Sequence, residues 1–278
     1  MRAILLLLLL IACTPAERLV SQSTEGLLEA QTSTHIMIAD GGSYDIEARI
    51  VSKNISGNVV RMFGYNGQIP GPILRVKQGS SATINFKNGL DMQTTVHWHG
   101  LRLDNNYDGV PTMMQPAIKT GDSFEYVLRF PDPGIYWYHP HVREDIQQEL
   151  GLYGAIIVEP TDPEYYGGVA REEVIFLDDL RIVAGQPELF SLQGANYVLM
   201  GRFGNTMLTN GDTSYTLNAS AGERIRLYLL NSANTRIFNF SVEGHDLNIV
   251  GGDNGLYARP FLADSVILGP SERAIVEL

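Results

Sequence analysis

Two short stretches carry four of the six histidines in this chain: Thr95-Val96-His97-Trp98-His99-Gly100 and Tyr138-His139-Pro140-His141. A β-strand sends residues i and i+2 to the same face, so each His-x-His pair aims two imidazoles the same way. Neutral imidazole is the commonest protein ligand and suits copper, zinc, iron and nickel. Two such pairs brought together would grip a metal ion. A structural zinc site ordinarily recruits cysteine, and the one cysteine, Cys13, lies near the N-terminus, so copper is the better fit. Spacing alone does not separate copper from a histidine-only zinc site. His35 and His245 stand singly and are expected to be surface or hydrogen-bonded residues. Met113 and Met114 adjoin each other; thioethers favour Cu(I), but two neighbouring methionines are more often loop or packing groups.

The elements that must position these groups read as β-strands. Short alternating or β-rich runs recur between Gly, Pro, Asn and Asp, and no stretch is patterned as a long helix. The first set includes SYDIEARIVS, ILRVKQG, SATINFKN, SFEYVLRF and GLYGAIIVEP. A second includes EEVIFLDDLRIV, YTLNASAG, RIRLYLLNS, IFNFSVEG and SVILGPSERAIVEL. Strands at this spacing predict all-β sandwiches or barrels. The Pro- and Gly-rich stretch 159–168 is the expected boundary. The two halves echo each other: Asn-Gly, strand, glycine turn, strand ending near Asn, then a strand toward the histidine position. That alignment puts Glu243 and His245 where the first copy has His97 and His99. A duplicated sandwich with metal chemistry in copy one only is therefore expected, over residues 35–160 and 165–278. The final run, RAIVEL, has no closing turn, and an edge strand cut there would leave an unpaired margin; the second sandwich is expected to be incomplete.

With 31 acidic against 20 basic side chains the net charge is −11, which repels phosphate and argues against nucleic acid as a partner. Arg2 precedes an apolar run from Ile4 to Ala12 that is too short to span a bilayer and reads as a signal over 1–12. The run ends in Leu-Ile-Ala-Cys, similar to a bacterial lipoprotein signal in which Cys13 is lipidated; the other reading is a secretory signal cut after Ala16. Both export the protein, the first to the cell envelope as a membrane-anchored lipoprotein facing the periplasm or exterior. Residues 13–34 are polar and aperiodic and read as a tether.

HWHG followed by GIYWYHPH, with YNGQIPGPILRVKQG upstream and LGLYGAIIVEP downstream, resembles the first domain of multicopper oxidases, the laccase-like and copper-efflux enzymes. The likeness runs from about Ile36 to Leu278. It implies tandem cupredoxin-like Greek-key β-sandwiches and an oxidoreductase that couples oxidation of a reducing substrate to reduction of O2 to water at a trinuclear copper cluster. By position in the motifs, His97 resembles a type 2 copper ligand, and His99, His139 and His141 resemble type 3 ligands. Asp108, nine residues after His99 in NNYDGVP, matches a family Asp-Gly that handles protons beside the type 2 copper; Asp108-Gly109 as a simple turn signal is the other reading. Trp98 faces away from the ligands and is expected in the core, whereas Trp137 shares the histidine side if that strand stays regular past Pro140.

The family's remaining motifs, HPxHxHG and a His-Cys-His run with the type 1 site, are absent. The resemblance therefore implies half a cluster, no electron entry, and a C-terminal cupredoxin domain that this chain lacks. A membrane-tethered module that only sequesters copper is the competing expectation.

Overall fold

The computed structural model describes residues 21–188 and 201–278. The apolar run and Cys13 lie outside them. Among the described residues no helix is long and apolar enough to cross a membrane.

The first nine strands are β1 (His35–Met37), β2 (Gly42–Ile55), β3 (Asn58–Tyr65), β4 (Ile73–Lys77), β5 (Ser81–Asn88), β6 (His97–His99), β7 (Ser123–Arg129), β8 (Gly134–His139) and β9 (Gly154–Glu159). They form two sheets, in the orders β3-β2-β5-β7 and β1-β4-β9-β8-β6. The chain repeatedly crosses between sheets, so β2 pairs with β5, and β4 with β9, in parallel. Alternation decides which side chains meet: β5 buries Ala82, Ile84 and Phe86 and exposes Asn85 and Lys87. These join Tyr126, Leu128, Trp98, Tyr136 and Tyr138 in the core between the sheets. β8 and most of β9 are buried on both faces, which is why they read as continuous apolar runs.

Residues 28–34 are not a free tether. Ser52 exchanges backbone hydrogen bonds with Leu28 and Ala30, Gln31 donates to Gly67, and Ile73 donates to Thr34. The segment docks through its backbone while Leu28 stays 81% exposed, so polar composition gave no sign of it.

The second half contains β10 (Arg171–Leu180), β11 (Ile182–Val183), β12 (Gln186–Pro187), β13 (Thr206–Thr209), β14 (Ile225–Asn231), β15 (Phe238–Phe240), β16 (Leu247–Gly252), β17 (Gly255–Ala263), β18 (Val266–Leu268) and β19 (Arg273–Glu277). One sheet has the order β13-β10-β14-β19-β16-β17, with the β15-β18 pair packed over one of its faces. The repeat is physical. Parallel β10-β14 and antiparallel β14-β19 reproduce β2-β5 and β5-β7. Asn88 and Asn231 close β5 and β14 with the same three bonds, accepting from the N–H two residues on and donating to two carbonyls. Asn66 and Asn210 both take positive φ ahead of a glycine and both hydrogen-bond the neighbouring strand.

Three expectations are corrected. The RAIVEL strand is interior, paired with β14 on one side and β16 on the other, so its end leaves no unpaired margin. Residues 215–222, YTLNASAG, are not a strand: their counterpart β4 is held between β1 and β9, and no such neighbours flank them among the described residues. His245 sits exposed in a turn with Val242; counting on from Phe238 as from Thr94 brings Ser241 and Glu243, not Glu243 and His245, to the places of His97 and His99.

The outer face of the β4-β9-β8 sheet packs on the second half. Ile135, Trp137, Tyr153 and Ile157 meet Phe176, Tyr228, Leu230 and Ile275 in a shared apolar core. At its margin Arg75 bridges Glu159 and Glu172, while Arg226 bridges Glu172 and Glu277. The histidine-bearing strand is thus clamped from both sides.

Candidate metal centre

β6 and β8 run antiparallel with His97 opposite His139 and His99 opposite Trp137. Tyr136 and Tyr138 turn into the first core, so Ile135, Trp137 and His139 face the other way. β8 ends at His139. His141, beyond Pro140, is held by its backbone N–H donating to Thr95 Oγ1 at 3.2 Å. One nitrogen each from His97, His99 and His139 lies within 4.8 Å of the other two. The His141 ring is centred 4.6 Å from that of His97 and 5.1 Å from that of His139. All four predicted imidazoles therefore meet in one place, with three donor atoms tightly grouped and the fourth ring at their margin.

Hydrogen bonds fix which nitrogen each ring offers. Nδ1 of His97 donates to the Asp108 carbonyl at 2.7 Å, and Nδ1 of His139 to the Pro140 carbonyl at 3.0 Å. Nδ1 of His141 lies 2.7 Å from Glu144 Oε1. A proton on each Nδ1 leaves Nε2 with its lone pair. His99 is reversed: its Nδ1 is the atom facing His139 Nε2, at 3.4 Å. Trp137 stacks on His139 with centroids 4.0 Å apart and 21° between planes, which sets the ring orientation, and Trp98 is fully buried in the core. For His97, His99 and His139, burial is the largest cause that disfavours the charged form. His139 is held well below the ordinary imidazole range, and His97 is lowered. His99 is brought down to about 3 by burial and then by the charge of Arg273.

Asp108 follows a short 3-10 turn (Asn105–Tyr107), whose start is capped by Asp104 accepting from Asn106 N–H. Its carbonyl is the near contact to His97; its Oδ1 stands 3.3 Å from the same Nδ1. Gly109 makes this possible. With φ +77° it lies so close to the Val96 carbonyl that no Cβ fits. Three residues escape a reading by motif. Glu144 opens α1 (Glu144–Gln147), and only its place three residues after His141 hints at it. Ser271 and Asn234 reach the histidine cavity, of about 420 Å³, from the second half, and no local pattern predicts that. His35 and His245 are exposed and outside the cluster, as are Met113 and Met114, 71% and 49% exposed.

Family models described as multicopper oxidase match residues 47–163 and 178–277, which together take in most of the chain. The chain belongs to the multicopper oxidase family. It is 31% identical to multicopper oxidase MmcO of Mycobacterium tuberculosis over 79% of its own length and 48% of that protein. Copper resistance protein A of Escherichia coli is 28% identical over 87% of this chain and 47% of its own length. A crystal structure of a multi-copper oxidase from Pseudomonas thermotolerans superposes with TM-score 0.79 at 31% identity, covering 89% of this chain and 58% of that one. The chain spans about half the length of the curated relatives it matches. Membership assigns copper as the cofactor and cupredoxin-like sandwiches as the fold. The donor set suits that metal, since grouped neutral imidazoles with no thiolate fit copper.

Proposed function

We propose that this chain is the N-terminal part of an exported multicopper oxidase. Its parts are a signal at 1–12, a lipidated Cys13 that anchors it to the cell envelope, a copper-ligating cupredoxin-like domain over 35–160 and a second, ligand-free domain over 165–278. The observation that carries the reading is the convergence of His97, His99 and His139 donor atoms within 4.8 Å. In this assignment His97 holds the type 2 copper, and His99, His139 and His141 hold type 3 copper. Bound copper supplies one-electron redox chemistry toward O2. The chain's own residues orient and insulate: Asp108, Pro140 and Glu144 fix three tautomers, Trp137 fixes a ring plane, and the second domain covers the back of β8. Reduction of O2 to water consumes protons as well as electrons, and the 3.3 Å between Asp108 Oδ1 and His97 Nδ1 supports a proton-handling role for that carboxylate. Cys13 is the only cysteine, so this chain supplies no type 1 thiolate, and a further cupredoxin domain completes the cluster and admits electrons from the reducing substrate.

Copper loading combined with oxygen uptake tests this. The chain takes up copper, yet shows no sustained O2 consumption with a phenolic or cuprous substrate; a longer polypeptide that continues into a type 1 site does. Turnover by the 278-residue chain alone contradicts the division of labour, and failure of the longer protein to turn over leaves a copper-sequestering module as the better reading.

A further inference from the structure

Arg273 begins β19 in the second half, yet its side chain reaches the back of the histidine strands. The side chain is 3% exposed. Its Nε donates to the Ile135 carbonyl at 3.2 Å and its Nη1 to the Ser271 carbonyl at 2.9 Å. The nearest carboxylate, Asp253, is 3.4 Å from Nη1, is 48% exposed, and also accepts the Arg273 backbone N–H. Two carbonyls and one solvated carboxylate compensate a buried guanidinium incompletely. The remaining nitrogen, Nη2, fills the space beside Gly100, 2.5 Å from where a Cβ would stand, and Gly100 has φ +89°. Gly100 directly follows His99. The cation thus lies behind the turn that aims a donor ring, and its charge already opposes a positive charge on His99. Pro270 and Ser271, just ahead of it in sequence, wall the histidine cavity.

We propose that Arg273 is a positioning residue of the copper half-site, seating the Gly100 turn and, through its fixed charge, favouring Cu(I) over Cu(II) in the ring of imidazoles. The inference rests on the copper reading above. A fixed cation repels a doubly charged ion twice as strongly as a singly charged one. At several Å and an effective dielectric of roughly 20, the difference amounts to about tenfold or more in the ratio of affinities. Nothing in the family motifs marks this residue, because it comes from the domain that carries no ligand.

Competition titrations of the full chain against Cu(I) and Cu(II) chelators, the first under anaerobic conditions, read the ratio directly. Arg273→Met raises Cu(II) affinity relative to Cu(I) by about tenfold, whereas Arg273→Lys, which keeps the charge but breaks the fork of hydrogen bonds, stays close to the parent ratio. Equal shifts in both variants mean that packing alone was lost, and no shift in either means that the charge is not felt; each overturns the inference. Gly100→Ala, whose Cβ collides with Nη2, supplies the same reading if Arg273→Met does not fold: it moves the ratio in the same direction, and an unchanged ratio overturns the inference. A parent chain that binds neither ion sinks the copper reading and this one with it, a result distinct from binding that ignores residue 273.

Discussion

Three imidazoles within reach of one another, one buried and two half-buried, share a preference for the neutral form, and that preference has a pH signature. Unfolded, His99 takes up a proton near 6.5; folded, it resists until about 3. Across that window the unfolded state binds more protons, so the stability contributed by His99 is complete above the upper value and is lost as pH falls toward the lower one. Glu149 and Asp178, whose carboxyls burial pushes upward, act in the opposite sense, so the comparison belongs between variant and parent. His99→Gln, neutral at every pH, gives a shallower loss of denaturation free energy in the metal-free chain between neutral and about pH 4.5. Parallel curves for variant and parent contradict the assignment. The four histidines were legible at this scale because the period-2 rule turns His-x-His into a shared direction. Glu144 and the Asp108 carbonyl were not: a carboxylate three residues on and a backbone oxygen eleven residues away become partners only once the loops close.

Strand and turn geometry decide whether those residues meet. The β6-β8 register places His97 opposite His139, and the 3-10 turn returns Asp108 to the start of β6. Gly109 is the hinge of that return. Gly109→Ala forces a Cβ against the Val96 carbonyl at positive φ, and is expected to cost about 2 kcal/mol in urea unfolding and to weaken copper uptake as the Asp108 carbonyl leaves His97. Parent-like values in both measurements contradict this account of the turn. Most first-half strands were readable from alternation, and the doubled Asn-Gly turns pointed to the repeat. YTLNASAG alternates as a strand should and is not one, because strand identity depends on neighbours that a local pattern does not contain. The apolar RAIVEL likewise read as an edge while pairing on both sides.

Over the whole molecule, the second half does more than echo the first. It seals the outer face of β8 with Phe176, Tyr228 and Ile275, ties the halves together through Arg75, Glu172 and Arg226, and sends Arg273 behind His99. None of this was legible beforehand, since an apolar run such as GIYWYH shows that both faces are covered without showing by what. The resemblance named the family; the interface shows how the second half covers the back of the histidine strands. Everything rests on copper entering between the two histidine pairs. Anomalous diffraction at the copper edge from crystals of the copper-loaded chain tests that most directly. Anomalous peaks are expected within bonding distance of Nε2 of His97 and His139 and Nδ1 of His99. Strong copper peaks elsewhere on the molecule, with none between these rings, contradict it.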